Sequence, residues 1–218
     1  MATLILDFDS TLVTCESLDE ILARGLRGKP AVAARIRAIT SAGMEGRIAF
    51  ADSLRQRLAL ATPKLSDVIA FGEEVTRLVT PGMDGLVKRF HDQGDEVWIV
   101  SSAPREAMLA VGAKLAIPEE RILGASLLWN DDGSFAGIDD GDPFCVSKAE
   151  GVRGQADDWS PPRIGVGDGM SDYALYEERL VDHFIAFTKN ARRPPLVETA
   201  VPEARDVARL SQLIDELL

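Results

Sequence analysis

Two carboxylates one residue apart, Asp7 and Asp9, follow directly after the short apolar run at residues 4–6. Residues two apart on a strand point to the same face, so both side chains can reach one ligand if the strand ends at Asp7 and turns through Asp9. The run has no polar face, which is typical of a buried parallel strand, and such strands carry ligand sites at their carboxyl ends. We therefore expect Asp7 to lie in a site at the edge of a parallel sheet.

Polar residues also follow two later apolar runs that predict strands. Ser101 and Ser102 come after one of them, and Asp168 and Asp172 come after the other. Because the carboxyl ends of parallel strands lie at one edge of a sheet, these side chains should meet Asp7 there. Several carboxylates in one place repel each other without a hard cation, and oxygen ligands with open positions suit Mg²⁺. The sequence therefore predicts a magnesium site.

Such a site suits phosphoryl transfer, in which the protein positions the phosphoryl group and neutralises the charge on its oxygens. An aspartate, with a reference pKa of about 3.9, is already ionised at neutral pH and needs no base to attack phosphorus. Asp7 is then the candidate nucleophile. Asp9 can protonate the leaving alkoxide and later accept a proton from the hydrolytic water. With Lys148 as a further positive charge, these residues predict a two-step phosphatase with an aspartyl-phosphate intermediate.

The elements that must position these groups follow from hydrophobic periodicity. In residues 14–80 apolar residues recur at three-to-four spacing with no strand among them, so this block should be helical. Ser17 and Glu20 have the spacing of a capping box and should begin its first helix. Beyond the block, strands alternate with helices, which predicts a right-handed parallel α/β sheet. We predict a core domain formed by residues 1–13 and 81–218, and a helical cap domain at residues 14–80.

Further element boundaries are predicted beyond the helical block. Residues 96–100 should form a strand that ends at Ser101, and Pro104 should begin the next helix. Residues 122–129 predict a single strand, and the turn residues at 130–133 predict a hairpin that returns through 134–138.

Composition and charge exclude several classes of protein. A chain of 218 residues with 46% hydrophobic residues can bury one sizeable core, alone or with a smaller attached unit. A net charge of −11 without a basic run opposes nucleic-acid binding. No signal-peptide pattern occurs, and no stretch approaches the roughly 20 apolar residues of a membrane span. Two cysteines, Cys15 and Cys145, make no disulfide framework. We expect a cytoplasmic monomer or homodimer that acts on a small phosphomonoester, without nucleic-acid or membrane partners.

The order of these motifs resembles the haloacid dehalogenase superfamily of phosphatases. The chain matches its first motif at residues 7–11, its second at Ser101, its third at Lys148 and its fourth at residues 167–172. The resemblance implies a Rossmann-like parallel sheet core with a helical-bundle cap inserted after the first strand.

The same resemblance assigns roles to the motif residues. Asp7 is implied to be the nucleophile and Asp9 the acid and base, with Ser101 and Lys148 completing the catalytic set. Mg²⁺ is implied to be held by Asp7, by Asp9 through its carbonyl and by Asp168, with Asp172 supporting the metal site.

Residues of the predicted cap resemble the phosphoserine phosphatases of this superfamily in particular. The cap residues that carry this resemblance are Glu16, Met44, Gly46, Phe50 and Arg57. It implies hydrolysis of O-phospho-L-serine, with Glu16 paired to the substrate ammonium and Arg57 to its carboxylate, which a planar guanidinium suits. The remaining substrate contacts that it implies are Ser101, Ser102 and Ser171.

Three alternatives stay open from the sequence. The enzyme can be a phosphatase for another small phosphomonoester, or a phosphotransferase that passes the group to an alcohol. A receiver-type signalling domain also places carboxylates, a hydroxyl and a lysine at the edge of a parallel sheet, although receivers are shorter and lack a helical insertion.

Of the neighbouring Arg55 and Arg57, one should point to solvent and the other inward, and only the resemblance favours Arg57 as the inward one.

Overall fold

The computed structural model describes the whole chain, Met1–Leu218. The strands are β1 (Thr3–Leu6), β2 (Glu96–Pro104), β3 (Ile122–Ala125), β4 (Leu127–Trp129), β5 (Phe135–Ile138), β6 (Arg163–Gly167), β7 (His183–Phe187) and β8 (Glu203–Ala204). The helices are α1 (Ser17–Arg24), α2 (Pro30–Met44), α3 (Phe50–Leu60), α4 (Leu65–Val75), α5 (Met83–Gln93), α6 (Leu109–Lys114), α7 (Lys148–Val152), α8 (Met170–Glu177), α9 (Pro194–Val197) and α10 (Val207–Asp215). Six strands form a parallel sheet in the order β3-β2-β1-β6-β7-β8, and β4 and β5 form an antiparallel hairpin.

Strand β1 lies in the middle of the sheet because its residues are apolar on both faces. Leu4 and Leu6 pack into one hydrophobic cluster, whereas Ile5 packs into the other. Strands β2 and β6 flank β1 in parallel register. The strand order reverses at β1, and parallel α/β sheets place their ligand sites outside the carboxyl ends of the strands at such a point. The predicted parallel sheet is therefore confirmed, with Asp7 at its switch point.

The predicted end of β2 is wrong. The strand continues through Ser101 to Pro104, and a short 3-10 turn at Arg105–Ala107 precedes α6. Pro104 pairs with Ala125 of β3 at the last position of the ladder, after a register shift. Since proline has no N–H to donate, the ladder stops there, and Pro104 ends the strand instead of beginning the helix.

The single strand predicted at 122–129 is two strands. Strand β3 belongs to the parallel sheet, and β4 leaves it to pair with β5. Between them, the Ser126 N–H donates to the Asp142 carboxylate at 2.6 Å, so it is withdrawn from any ladder. The predicted hairpin is present, and Gly133 in its turn has a φ of 75°, a left-handed conformation that glycine adopts without strain.

Helices α1–α4 form the helical insertion between β1 and α5, as predicted. Helix α3 begins at Phe50, and α4 ends at Val75 with a 3-10 turn after it. The two connections to the insertion lie side by side, because Val13 and Val79 form an antiparallel bridge. Residues of α4 share a hydrophobic cluster with β1, so the insertion is packed against the sheet. Its division from the core as a separate domain stays a prediction. None of the helices combines the length and apolar character needed to cross a membrane.

Candidate active site

The ends of β1, β2 and β6 bring the predicted motif residues together. The Asp7 N–H donates to the Val166 carbonyl of β6 at 2.9 Å, which fixes the first residue after β1 beside the end of β6. The carboxylate oxygens of Asp7, Asp168 and Asp172 come within 4.8 Å of one another, and all three residues are buried. The sequence order of the motifs thus corresponds to one cluster in space.

Lys148 joins two of these carboxylates. Its ammonium donates to Asp7 Oδ1 at 2.6 Å and also to Asp172 Oδ1. Burial raises the pKa of Asp7 to about 7, and Asp172 adds to this shift while Lys148 opposes it. Burial lowers the pKa of Lys148, but Asp172 and Asp7 outweigh it, so that the pKa lies above its ordinary value. Lys148 is therefore charged at neutral pH and offsets part of the negative charge at the end of β1.

The unpartnered oxygens of the cluster fit a divalent cation. Asp7 Oδ2 and Asp168 Oδ1 are buried and have no hydrogen-bond partner. By contrast, Asp172 uses both oxygens, one for Lys148 and one for the Gly169 N–H at 2.9 Å. A buried carboxylate oxygen without a partner is costly, and Mg²⁺ coordinates oxygens of this kind. The donor set therefore fits Mg²⁺ held by Asp7 and Asp168, with Asp172 in a supporting place.

Arg193 lies in this cluster although the sequence analysis did not predict it. Its Nε donates to Asp168 Oδ2 at 2.7 Å, and its Nη2 donates to Glu16 Oε1 at 2.8 Å. Asp168 and Glu16 raise the pKa of Arg193 against the opposing effect of its burial. In the sequence, an arginine followed by two prolines gives no local indication of a functional site. Its position becomes predictable only from the strand order, because β7 lies beside β6 and the loop after β7 therefore passes near Asp168.

Asp9 is held by the first helix of the insertion. Ser17 donates its N–H to Asp9 Oδ1 at 3.0 Å and its hydroxyl to Oδ2 at 2.9 Å. The predicted capping box is therefore wrong, because Glu16 occupies the N-cap position and Ser17 is the first helical residue. The Asp9 carboxylate satisfies a free N–H at the helix start that a capping side chain would otherwise take. Burial raises the pKa of Asp9, and Glu16 and Asp7 raise it further.

A cavity opens above the cluster, between the strand ends and the helical insertion. The predicted site residues that line it are Asp7, Asp9, Glu16, Met44, Phe50, Arg57, Ser101, Ser102, Lys148 and Ser171. Three predicted residues do not line it. Asp168 and Asp172 lie within the carboxylate cluster, and Gly46 forms a turn after α2 with a φ of 71°. Other residues are strained in that conformation, so a glycine at position 46 is explained by the backbone of the turn and not by a contact with a ligand.

Ser101, Ser102 and Arg57 line this cavity. The Ser101 hydroxyl accepts from the Ala103 N–H at 3.3 Å, and the buried Ser102 hydroxyl has no partner. Arg57 is buried, whereas Arg55 is exposed and lies 3.4 Å from Asp140. Arg57 is therefore the inward arginine of the pair. The cavity is lined by the nucleophile candidate Asp7 and by opposite charges from Glu16 and Arg57.

The haloacid dehalogenase-like hydrolase family has a sequence profile that matches residues 4–177. The chain belongs to this family. A phosphoserine phosphatase from Mus musculus is 30% identical over 213 residues, which cover 96% of this chain and 92% of the mouse protein. The crystal structure of a phosphoserine phosphohydrolase-like protein from Francisella tularensis subsp. tularensis SCHU S4 has a TM-score of 0.94 and 37% identity, and covers 98% of this chain and 100% of that one.

A structure described as a substrate-bound phosphoserine phosphatase complex has a TM-score of 0.77 and 26% identity, and covers 97% of each chain. Membership of the family confirms the predicted hydrolase and the predicted α/β fold. It also removes the receiver-type alternative. The roles of the individual side chains stay predictions, which the geometry above makes testable.

Proposed function

We propose that this hydrolase is a phosphoserine phosphatase, which converts O-phospho-L-serine and water to L-serine and phosphate and uses Mg²⁺. One observation carries the proposal: a single cavity contains the Asp7 carboxylate together with a carboxylate and a guanidinium from the helical insertion. Opposite charges of this kind match the ammonium and the carboxylate of an amino acid. The relatives that carry the name phosphoserine phosphatase match nearly the whole chain, which supports the same substrate.

In the first step Asp7 attacks phosphorus, and the bond from phosphorus to the serine oxygen breaks. Asp9 gives its proton to the departing oxygen, and burial raises the pKa of Asp9, which favours its protonated form. Asp7 Oδ1 is engaged by Lys148, which leaves Oδ2 without a protein partner. Lys148 and Ser101 stand beside the cavity floor, where they can bind phosphate oxygens.

In the second step water attacks the phosphorus of the aspartyl phosphate, and Asp9 accepts a proton from that water. The bond from phosphorus to Asp7 breaks, phosphate leaves, and the Asp7 carboxylate is restored. Mg²⁺, when bound, neutralises charge on the phosphate oxygens. Asp7, Asp168 and the Asp9 carbonyl would hold it, while Asp172 keeps Lys148 in place.

The amino-acid end of the substrate would lie toward the helical insertion. Ser10 and Arg193 both donate to Glu16 Oε1, so Oε2 is left for a substrate ammonium. Arg57 would take the carboxylate through charge-assisted hydrogen bonds. The cavity thus separates the phosphate end, formed by the strand ends, from the amino-acid end.

The test compares wild type, Arg57→Ala and Arg55→Ala on two substrates in Mg²⁺. O-phospho-L-serine has a carboxylate and an ammonium, whereas p-nitrophenyl phosphate has neither. Arg57→Ala should lose about 2–5 kcal/mol of transition-state stabilisation on phosphoserine, as a buried charged contact would, and little on the aryl ester. Arg55 lies on the same helix but is exposed, so Arg55→Ala is the matched control.

Two results would contradict the proposal. Wild type that prefers another small phosphomonoester over phosphoserine in a phosphate-release panel would give the enzyme a different substrate. Equal losses of Arg57→Ala on both substrates would mean that Arg57 supports the fold or the phosphate end instead of reading a carboxylate.

A further inference from the structure

The Arg57 guanidinium is anchored by residues of α1, α2 and its own helix α3. Its Nη1 donates to Thr40 Oγ1 of α2 at 3.3 Å and lies 3.7 Å from Asp19 Oδ1 of α1. Its Nε donates to the Ser53 carbonyl, one turn earlier in α3, at 3.3 Å. Nη2 makes no hydrogen bond with the protein. Two of the three guanidinium nitrogens are therefore used to hold the side chain, and one is left with both of its N–H donors.

Thr40 connects the arginine to the aspartate. Its hydroxyl accepts from Arg57 Nη1 and donates to Asp19 Oδ1 at 2.6 Å, so one hydroxyl completes a chain of two hydrogen bonds. The side chains of Arg57 and Asp19 are 8% and 9% exposed, and Thr40 is buried as well. An arginine buried to this degree needs a counter-ion nearby, since an unpaired buried charge is strongly destabilising.

Asp19 acts on Arg57 and not on a ligand, because Arg57 and Thr40 line the cavity whereas Asp19 does not. Burial raises the pKa of Asp19, and Thr40 and Arg57 lower it. Burial lowers the pKa of Arg57, and Asp19 is the main group that opposes this effect. Each charged group thus offsets part of the cost that burial imposes on the other.

A fixed arginine binds an anion more tightly than a mobile one. The arginine side chain has about 2 kcal/mol of rotamer entropy, part of which is lost when it is ordered on binding. Anchors that order the side chain in advance remove that cost from the binding step. Resting on the proposed function, we infer that Asp19 and Thr40 are positioning residues that hold Arg57 ready for the carboxylate of the substrate, with the Thr40 hydroxyl as the link between them.

The test uses variants that keep the shape of each side chain. Thr40→Val has the same outline without the hydroxyl, Thr40→Ser keeps the hydroxyl, and Asp19→Asn removes only the charge. kcat and KM are measured on O-phospho-L-serine and on p-nitrophenyl phosphate. Thr40→Val and Asp19→Asn should lower kcat/KM on phosphoserine roughly 10- to 100-fold, mainly through KM, as for a lost hydrogen bond to a charged group. Thr40→Ser should retain the wild-type value, and all three should act normally on the aryl ester.

A double-mutant cycle separates positioning from an independent role. In an Arg57→Ala background, Asp19→Asn should cause no further loss on phosphoserine, because its only route to the substrate is gone. A full additional loss there would overturn the inference. So would a wild-type KM for Thr40→Val, or equal losses on both substrates. If Asp19→Asn does not fold by circular dichroism, the comparison of Thr40→Val with Thr40→Ser decides the question.

The substrate preference of the wild-type enzyme distinguishes a failure of the positioning inference from a failure of the proposed function. O-Phosphoethanolamine has the phosphate and the ammonium of phosphoserine but no carboxylate. A wild type that prefers phosphoserine, together with variants that keep this preference, would overturn the positioning role and leave the proposed function standing. A wild type that prefers O-phosphoethanolamine would overturn the proposed function, and the carboxylate role of Arg57 with it.

Discussion

Replacing Arg193 by methionine removes the guanidinium that pairs with both Asp168 and Glu16. The Asp168 side chain is 0% exposed and that of Arg193 is 10% exposed, so this ion pair is shielded from solvent. Removing one partner of a buried ion pair typically costs about 3–5 kcal/mol, because the other charge is left uncompensated. We expect the metal-free Arg193→Met variant to lose a free energy of unfolding of this size at pH 8.

The loss of stability should be larger at high pH than at low pH. Burial is the main cause of the raised pKa of Asp168, and Arg193 is the group that opposes it. Without Arg193 the carboxyl can escape its unpaired charge by binding a proton, which is easier at low pH. The difference between variant and wild type should therefore be largest at pH 8 and should shrink as the pH falls toward the ordinary aspartate value.

Urea unfolding with a chelator at pH 8 and pH 5 measures both effects. Arg205→Met is the matched control, because Arg205 is exposed and pairs with Glu203 at 3.0 Å, so its removal should change little. Repeating the pH 8 measurement with Mg²⁺ should restore part of the stability of Arg193→Met, since the cation supplies positive charge at Asp168. Equal stabilities of Arg193→Met and wild type at pH 8 would show that the ion pair contributes nothing. A loss that is the same at both pH values would indicate lost packing in place of an unpaired charge.

Three further predictions concern the catalytic carboxylates. Asp7→Asn should abolish phosphate release without unfolding the protein, and near-normal release would rule out direct attack by Asp7. Asp9→Asn should slow turnover of phosphoserine roughly 10²- to 10⁴-fold, and its effect on formation of the phospho-enzyme should be smaller with p-nitrophenyl phosphate, which has a good leaving group. The pKa of Asp7 is raised from 3.8 to about 7, so the folded state holds the extra proton and the metal-free protein should lose stability as pH rises between these values. Urea titrations that show the metal-free protein becoming more stable over this pH window would contradict the prediction for Asp7. Bound Mg²⁺ should reverse the loss of stability, and activity should require it.

The catalytic end of the site could be predicted because its signals are local. After their first residue, strands β1 and β6 have no polar side chain, and Asp7 and Asp168 follow at once, so the place of each carboxylate at the sheet edge follows from the end of its own strand. Lys148 begins a short helix after a serine cap, which sequence patterns also indicate. The order of the strands in the sheet is a property of the whole chain, and no segment of the sequence determines it alone.

The errors arise where a tertiary partner competes with a local rule. Ser17 and Glu20 have the spacing of a capping box, which predicts Ser17 as the N-cap residue. Instead, the Asp9 carboxylate lies at the start of the helix and accepts hydrogen bonds from both the N–H and the hydroxyl of Ser17. Proline is a common first residue of a helix, yet here Pro104 pairs with Ala125 at the end of the hydrogen-bonded ladder between β2 and β3. Arg193 has no local rule at all, because its partners lie 25 and 177 residues away in the sequence. Long-range ion pairs of this kind become visible only when the strands have been placed next to one another.

Charge balance predicts that a divalent cation promotes the binding of phosphate. Around the cavity and the cluster beneath it, the carboxylates of Asp7, Asp9, Glu16, Asp19, Asp168 and Asp172 outnumber the cations of Arg57, Lys148 and Arg193. Each of the three cations is already paired with at least one carboxylate, so part of its positive charge is offset before a phosphate arrives. The two buried oxygens that have no partner belong to Asp7 and Asp168, at the phosphate end. A divalent cation there would relieve the repulsion between these carboxylates and make the approach of a phosphate dianion favourable, whereas the amino-acid end has its own charges in place without it.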